Sequence, residues 1–320
     1  MEMANGTDVT EFILLGFGGG PKKHLLLLIF LTAFYVLTLA ENMTIITLVV
    51  LDSHLSRLPM YLLLGSFSWL EICYVSTTIP RMLFDLITLH GKISFQACFL
   101  QFYIFFSLGC TEDFFLSAMA LDRYLAICHP LRYPQIMSQN ACYALMATCW
   151  ILGFLWNIVP VTLISKMSFC GPNVIDHLLC DPGPLLSLAC PPLGNAPFIY
   201  QIFVNAVILG NLLCVILSYG AVILSLMKTS SQGSRKKAFS TIFFHLMVVT
   251  IFYGSVAGVY LAAPGGESNS EVTKAATVFY AAVTPVLNPL IYCLRNDKIK
   301  EAAGRLLKRM EKCWCPGEYR

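Results

Sequence analysis

Seven stretches of the chain run apolar for about 20 residues or more with few charged interruptions, at positions 25–51, 58–82, 98–121, 141–163, 197–226, 238–262 and 272–294. That is the length an α-helix needs to cross the roughly 30 Å hydrocarbon core of a bilayer at about 1.5 Å per residue. Backbone N–H and C=O groups find no water in lipid, so each run must close its own hydrogen bonds as a helix. The pattern predicts an all-α membrane protein, a single seven-transmembrane helix bundle. The joints between runs are short except for residues 164–196, a loop rich in cysteine and broken by Pro172, Pro182, Pro184, Pro191 and Pro192. After the seventh run, "IKEAAGRLLKRMEKCWC" carries apolar and basic residues in an amphipathic pattern, which predicts a short helix lying along the membrane surface. The chain thus divides into an N-terminal segment (1–24), a seven-helix domain (25–294) and a tail (295–320).

Charge sets the orientation. Only 12% of the residues are charged and the net charge is +3, with no Lys/Arg block long enough to follow a phosphate backbone, so nucleic acid is excluded as a partner. With the N-terminus outside, fifteen Lys and Arg fall on the inner side and six on the outer side. The expectation is a multi-pass plasma-membrane protein with an extracellular N-terminus. Residues 1–24 lack a basic start followed by an apolar core, so the first helix acts as its own insertion signal. The sequon Asn5-Gly6-Thr7 then lies outside, where Asn5 can be glycosylated, whereas Asn42-Met43-Thr44 lies within the first span and stays bare.

Orientation also sorts the thirteen cysteines. Cys98, Cys170, Cys180 and Cys190 fall in the oxidising compartment and offer two disulfides in three connectivities. Cys313 and Cys315 follow the amphipathic stretch on the reducing side and are palmitoylation candidates.

Several motifs are more specific than the hydrophobic runs. "FILLGF" (12–17), "PMYLLLGSFSWLEICY" (59–74), "MALDRYLAICHPLRY" (119–133), "HLLCD" (177–181), "SY" (218–219), "KKAFSTIFFHL" (236–246) and "PVLNPLIYCLRN" (285–296) cover nearly the whole chain. In these the sequence resembles the olfactory receptors, a branch of the rhodopsin-like G protein-coupled receptors. The resemblance implies detection of a small volatile odorant and activation of a stimulatory-type heterotrimeric G protein that raises cyclic AMP. It implies the disulfides Cys98–Cys180 and Cys170–Cys190. It also implies an activation switch built from Asp122, Arg123, Tyr124, Tyr219, His245, Tyr253, Asn288, Pro289 and Tyr292. Two stretches depart from the family pattern. Glu41 stands where the family usually has a glycine before the asparagine, and Ile242-Phe243-Phe244 stand where small polar residues usually follow Ser-Thr. Both are expected to tune basal activity rather than odorant choice.

Charges inside the spans carry the chemistry. Arg123 lies at the inner end of the third helix, where pairing with Asp122 and snorkelling moderate the cost of a charge at that depth. The expected device is a latch, closed by that pair when inactive and opened to receive a G-protein helix when active. Glu112 lies about 16 Å along the helix axis from Arg123, and Glu71 about 18 Å beyond Pro59 on the second helix, so both carboxyls sit near mid-bilayer. With Asn288 they are expected to form a hydrated polar hub holding a proton or a sodium ion; no other cofactor or metal is expected.

The ligand site is expected above that hub. An amine receptor would want a carboxylate on the third helix facing the pocket, but the equivalent level holds Phe105 and Phe106. A retinal receptor would want a lysine midway along the seventh helix, and Lys274 is at its outer end. Phe105, Phe106, Gly109, Cys110, Phe203, Val207, Val256, Tyr260, Val278 and Ala281 remain, an apolar wall with a hydroxyl or two, suited to a small, mostly apolar, uncharged ligand. Tyr260 is placed to bond the ligand and Tyr253, seven residues earlier on the same face, to sense its depth.

An enzyme is not indicated, since HExxH, GxSxG and paired histidines one turn apart within a span are all missing. His177, Cys180 and Asp181 are rejected as a metal set because Cys180 is better used in a disulfide. The alternatives to an odorant receptor are a seven-helix receptor for an internal metabolite and a proton-coupled transporter relaying through Glu41, Glu71, Glu112 and Asp113. Against the transporter, no inverted repeat is visible and seven spans do not halve evenly.

Overall fold

The computed structural model describes residues 9–170, 172–228, 232–260, 270–294 and 297–314. Asn5 and Cys315 lie outside these, as do the side chains of Tyr260, Tyr292 and Cys313. In chain order the elements are β1 (Glu11–Leu14), α1 (Pro21–Leu51), α2 (Pro59–Thr88), β2 (Lys92–Ser94), α3 (Phe95–Cys128), α4 (Tyr133–Ile136), α5 (Gln139–Trp156), α6 (Ile158–Ser165), β3 (Val174–Ile175), α7 (Pro182–Leu188), α8 (Ala196–Lys228), α9 (Gln232–Tyr260), α10 (Ser270–Val278), a π-helical turn (Phe279–Val283), α11 (Thr284–Leu294) and α12 (Asp297–Trp314).

Among the described residues, α1, α2, α3, the α5–α6 pair and α8 are long and apolar enough to cross a membrane. α9 contributes a shorter apolar stretch, Ile242–Val256. The helices outrun the apolar runs because a helix does not stop where hydrocarbon does. α3 starts at Phe95, where the Ser94 hydroxyl accepts from Ala97 N–H, and it ends at Cys128. The fourth run breaks at Asn157, between α5 and α6. Pro160 has no N–H to return to the Trp156 carbonyl one turn earlier, so the hydrogen-bond ladder is interrupted there. The seventh run is broken by the π turn before α11, which has Pro289 in its interior.

α3 runs through the bundle against α2, α5 and α8. Its approach to α5 depends on Gly153, because a Cβ at that position would collide with Thr111 Oγ1 and come within 2.8 Å of the Thr111 backbone nitrogen. The main core is formed by side chains from all seven spans, with Phe67, Phe105, Phe115, Leu116 and Ile79 almost fully buried.

One end of the bundle carries a feature the helical reading leaves out. β1, β2 and β3 form a three-stranded sheet in the order β2-β1-β3. β1 is antiparallel to β2, with Phe12 opposite Ile93, and parallel to β3, with Leu14 opposite Ile175. Phe12 and Leu14 point inward in β1 while Glu11 and Ile13 are half-buried. Phe12 packs on Phe95 at 5.9 Å and on Phe169 at 5.6 Å between ring centroids, seeding a second, smaller core. Strands of two to four residues are too short to display a period-2 pattern in sequence, which is why they are missed. The long loop 164–196 is likewise not featureless: it folds into β3 and α7, whose start is capped by Asp181 accepting from Gly183 N–H at 2.9 Å.

Two disulfides hold this sheet end, in the pairing the family resemblance implies. Cys98–Cys180 ties the first turns of α3 to the loop, with Cα atoms 5.5 Å apart, and Cys170–Cys190 closes the loop on itself, with Cα atoms 5.0 Å apart. Cys180 N–H also donates to Gln101 Oε1 at 3.2 Å. The His177 ring lies against the Leu179 carbonyl and the Thr277 hydroxyl, pinning the loop to α10. At the opposite end, α12 returns to α1 through Arg305, whose Nε donates to Asp52 Oδ2 at 2.8 Å.

Candidate functional site

A cavity opens on the sheet-end side of the bundle, walled by α2, α3, the α5–α6 break, α8, α9 and the π turn. Of the ten expected ligand-binding residues, Phe105, Phe106, Gly109, Cys110, Phe203, Val207 and Val256 line it. Phe105 organises the wall. Its ring stacks on Tyr74 at 4.8 Å, meets Phe106 edge-on at 5.4 Å and lies 5.9 Å from Tyr280. The α5–α6 break aims Asn157 at α3, where its Nδ2 donates to the Phe106 carbonyl at 3.2 Å and to Cys110 Sγ at 3.1 Å. Trp156, beside it, donates to the Phe203 carbonyl at 3.0 Å, joining the break to α8.

Two expectations are corrected here. Val278 and Ala281 are buried but do not line the cavity; Tyr280 does. Tyr280 and Ala281 both lie within the π turn, whose winding differs from that of an α-helix, while Val278, which precedes the turn, packs into the main core. Tyr260, the third residue of the ten not on the wall, has its side chain outside the described residues.

The second correction concerns charge. The cavity floor holds Asp113, a carboxyl on α3 that the apolar reading of the wall left out. Asp113 is 4% exposed and its Oδ1 makes no hydrogen bond. Tyr253 of α9 faces it, outside hydrogen-bond geometry. Tyr253 is buried behind Asp113 and does not itself line the cavity, while Trp156, Pro160, Tyr200 and Phe252 add wall that the sequence reading did not name. The signal for Asp113 was its place one residue after Glu112, since consecutive residues of a helix point about 100° apart.

Behind that floor lies the hub. Asn288 Nδ2 donates to Glu71 Oε1 at 2.5 Å and reaches Glu112 Oε1 at 3.4 Å, so α2, α3 and α11 meet at one amide. All three residues are 2% exposed or less. Glu71 Oε2 and Asn288 Oδ1 have no hydrogen bond. Glu41 is elsewhere, half-buried on α1 with Oε2 unbonded.

At the far end of α3, Arg123 Nη2 pairs with Asp122 Oδ2 at 3.0 Å. Tyr133 of α4 donates its hydroxyl to the other oxygen, Asp122 Oδ1, at 2.7 Å, a partner sequence reasoning did not name. The Tyr219 ring on α8 packs on His245 of α9 at 5.3 Å beside Arg123. Tyr124, expected in the switch, instead bonds His129 Nε2 at 3.0 Å. Phe243 is exposed on the bundle surface, and Ile242 is buried. The expected switch residues are thus not one cluster: Asp122, Arg123, Tyr219 and His245 gather at this end, while Tyr253 and Asn288 lie in the interior beside the acids.

The chain matches the family described as "Olfactory receptor" over residues 31–310. It is 49% identical over 299 residues to human olfactory receptor 11H6, covering 93% of this chain and 90% of that relative. It is 46% identical over 299 residues to human olfactory receptor 11G2, covering 93% and 86%. Among solved structures it is similar to squid rhodopsin, with a TM-score of 0.73, 15% identity and coverage of 94% of this chain and 92% of that one. At that identity the likeness to rhodopsin speaks to the fold alone.

Proposed function

This chain belongs to the olfactory receptor family, and on that premise we propose that its cavity binds a small, mostly apolar volatile molecule and that occupancy activates a stimulatory-type G protein, raising cyclic AMP. As a family member it is a multi-pass membrane receptor and not an enzyme. In the proposed setting it lies in the plasma membrane with its N-terminus and sheet outside and Arg123 inside, as the Lys and Arg asymmetry supports.

One observation carries the reading: a single helix, α3, contributes to the cavity, the hub and the Arg123 pair. Phe105, Phe106 and Gly109 line the cavity, Glu112 shares the Asn288 amide, and Asp122 and Arg123 form the ion pair at the far end. A ligand packed against the Phe105 level shifts the ensemble only through contacts that differ between two bundle arrangements. The Asn288 amide, held by acids on α2 and α3, is where such a difference registers, because movement of α11 must lengthen a 2.5 Å bond. Release of the Arg123 pair then opens the inner end.

The test is expression of the chain at the cell surface with a chemically broad volatile panel, reading cyclic AMP and guanine-nucleotide exchange. Dose-dependent exchange supports the proposal. Ligand-evoked ion current without exchange refutes it in favour of a transporter.

A further inference from the structure

We infer, on the basis of the ligand reading above, that the cavity is built for small apolar amines, with the ammonium group docked on Asp113 Oδ1 and the hydrocarbon against the Phe105 wall. Asp113 lines the cavity, is 4% exposed and leaves Oδ1 without a hydrogen bond. A buried acceptor left unpaired is unfavourable, and a carboxylate more so than a neutral group. The Tyr253 hydroxyl faces Asp113 but lies outside hydrogen-bond geometry. The Asn288 amide, the hydrogen-bond donor of the hub, is spent on Glu71 and Glu112. Among the described residues no Lys or Arg forms an ion pair with Glu71, Glu112 or Asp113. The floor therefore holds a carboxyl group and, among the described residues, lacks a basic partner.

The walls suit the same group. Phe105 stacks on Tyr74 and lies tilted against Tyr280, and with Phe106 and Trp156 these rings line the cavity. Aromatic faces attract a cation once it is desolvated. A hydrocarbon in this cavity leaves Oδ1 unpaired, and an alcohol supplies one donor without charge. An ammonium supplies both the donor and the charge, and a charge-assisted bond is the stronger one.

The experiment uses carbon-matched sets, benzylamine with benzyl alcohol and toluene, and hexylamine with hexanol and hexane, on surface-expressed wild type and Asp113→Asn. The expected result is the lowest half-maximal concentration for the amine in each set. Asp113→Asn should raise that value on the order of tenfold to a hundredfold while moving the alcohols much less. Amine responses unchanged in Asp113→Asn overturn the inference. Should that variant fail to reach the surface, the wild-type ranking decides, and alcohols or hydrocarbons outperforming the amines in both sets overturn the inference while leaving the receptor reading intact. Silence of the wild type across these sets and the broad volatile panel overturns the receptor reading itself.

Discussion

Tyr133 donates its hydroxyl to Asp122 Oδ1 at 2.7 Å, the carboxylate oxygen that Arg123 does not occupy. Asp122 is 1% exposed, so two donors from two elements hold one buried acid in the closed arrangement. A hydrogen bond to a charged group contributes about 1.5–3 kcal/mol. Tyr133→Phe removes one of the two and is expected to raise ligand-free cyclic AMP severalfold at matched surface level. Basal signalling equal to wild type would show that this bond does not hold the latch.

Removing the cation has the opposite sign. Arg123→Ala is expected to abolish agonist-evoked nucleotide exchange with surface expression mostly intact, because the residue sits at the end of α3 rather than in the central core. Robust exchange from that variant rules out Arg123 as the coupling element.

The loop disulfide is a stability prediction. Cys98 and Cys180 are 82 residues apart, and the chain-closure estimate for such a loop is about 4.5 kcal/mol. Cys180→Ser is expected to retain the protein inside the cell, and surface labelling at wild-type level would refute it.

Gly109 separates filling the cavity from disturbing the bundle. A Cβ there meets Tyr74 Cε2 at 3.9 Å, an ordinary contact, so Gly109→Ala should express normally and respond. Gly109→Leu must occupy ligand space or push the wall outward, and overpacking costs about 1–3 kcal/mol. If that cost falls on binding, affinity drops roughly 5- to 150-fold. Dose–response curves unmoved in Gly109→Leu would place the binding site elsewhere.

Acid should loosen the sheet end. Hydrogen bonds from Lys23, and then from Lys274, hold the Glu271 carboxyl below its ordinary value of 4.5. Lys274 is itself buried and spans Glu271 at 3.2 Å and Asp176 of the long loop at 2.5 Å. Because the folded pKa is the lower one, this contribution is fully present above about 4.5 and is lost as pH falls through the folded value. The melting temperature of purified receptor should therefore fall as pH is taken below about 4.5, and less steeply in Glu271→Gln. Identical pH profiles for the two proteins would exclude Glu271 as a contributor.

Much of this molecule is legible along the chain because membrane folding is governed by rules that act on local sequence. A run of about 20 apolar residues is a helix wherever it meets lipid, so the seven spans need no tertiary information. The rise per residue places Glu71 and Glu112 at one depth, and the structure joins both to Asn288. The family motifs supply the cysteine pairing.

Facing and phase were decided only in three dimensions. α3 is buried around most of its circumference, so its pattern does not distinguish the side toward the hub from the side toward the cavity, and Asp113 was read only as a relay acid beside Glu112, not as part of the cavity. Within the π turn Tyr280, and not Ala281, lines the cavity, and local composition does not announce an added residue per turn. Tyr133 reaches Asp122 from eleven positions away across a chain reversal. The sheet pairs Phe12 with Ile93 and Leu14 with Ile175, strands so short that each exists only because its partner is brought to it by helices and disulfides. Secondary structure here answers to the bilayer, which every residue meets locally, whereas the site answers to which helix faces meet, which no single segment encodes.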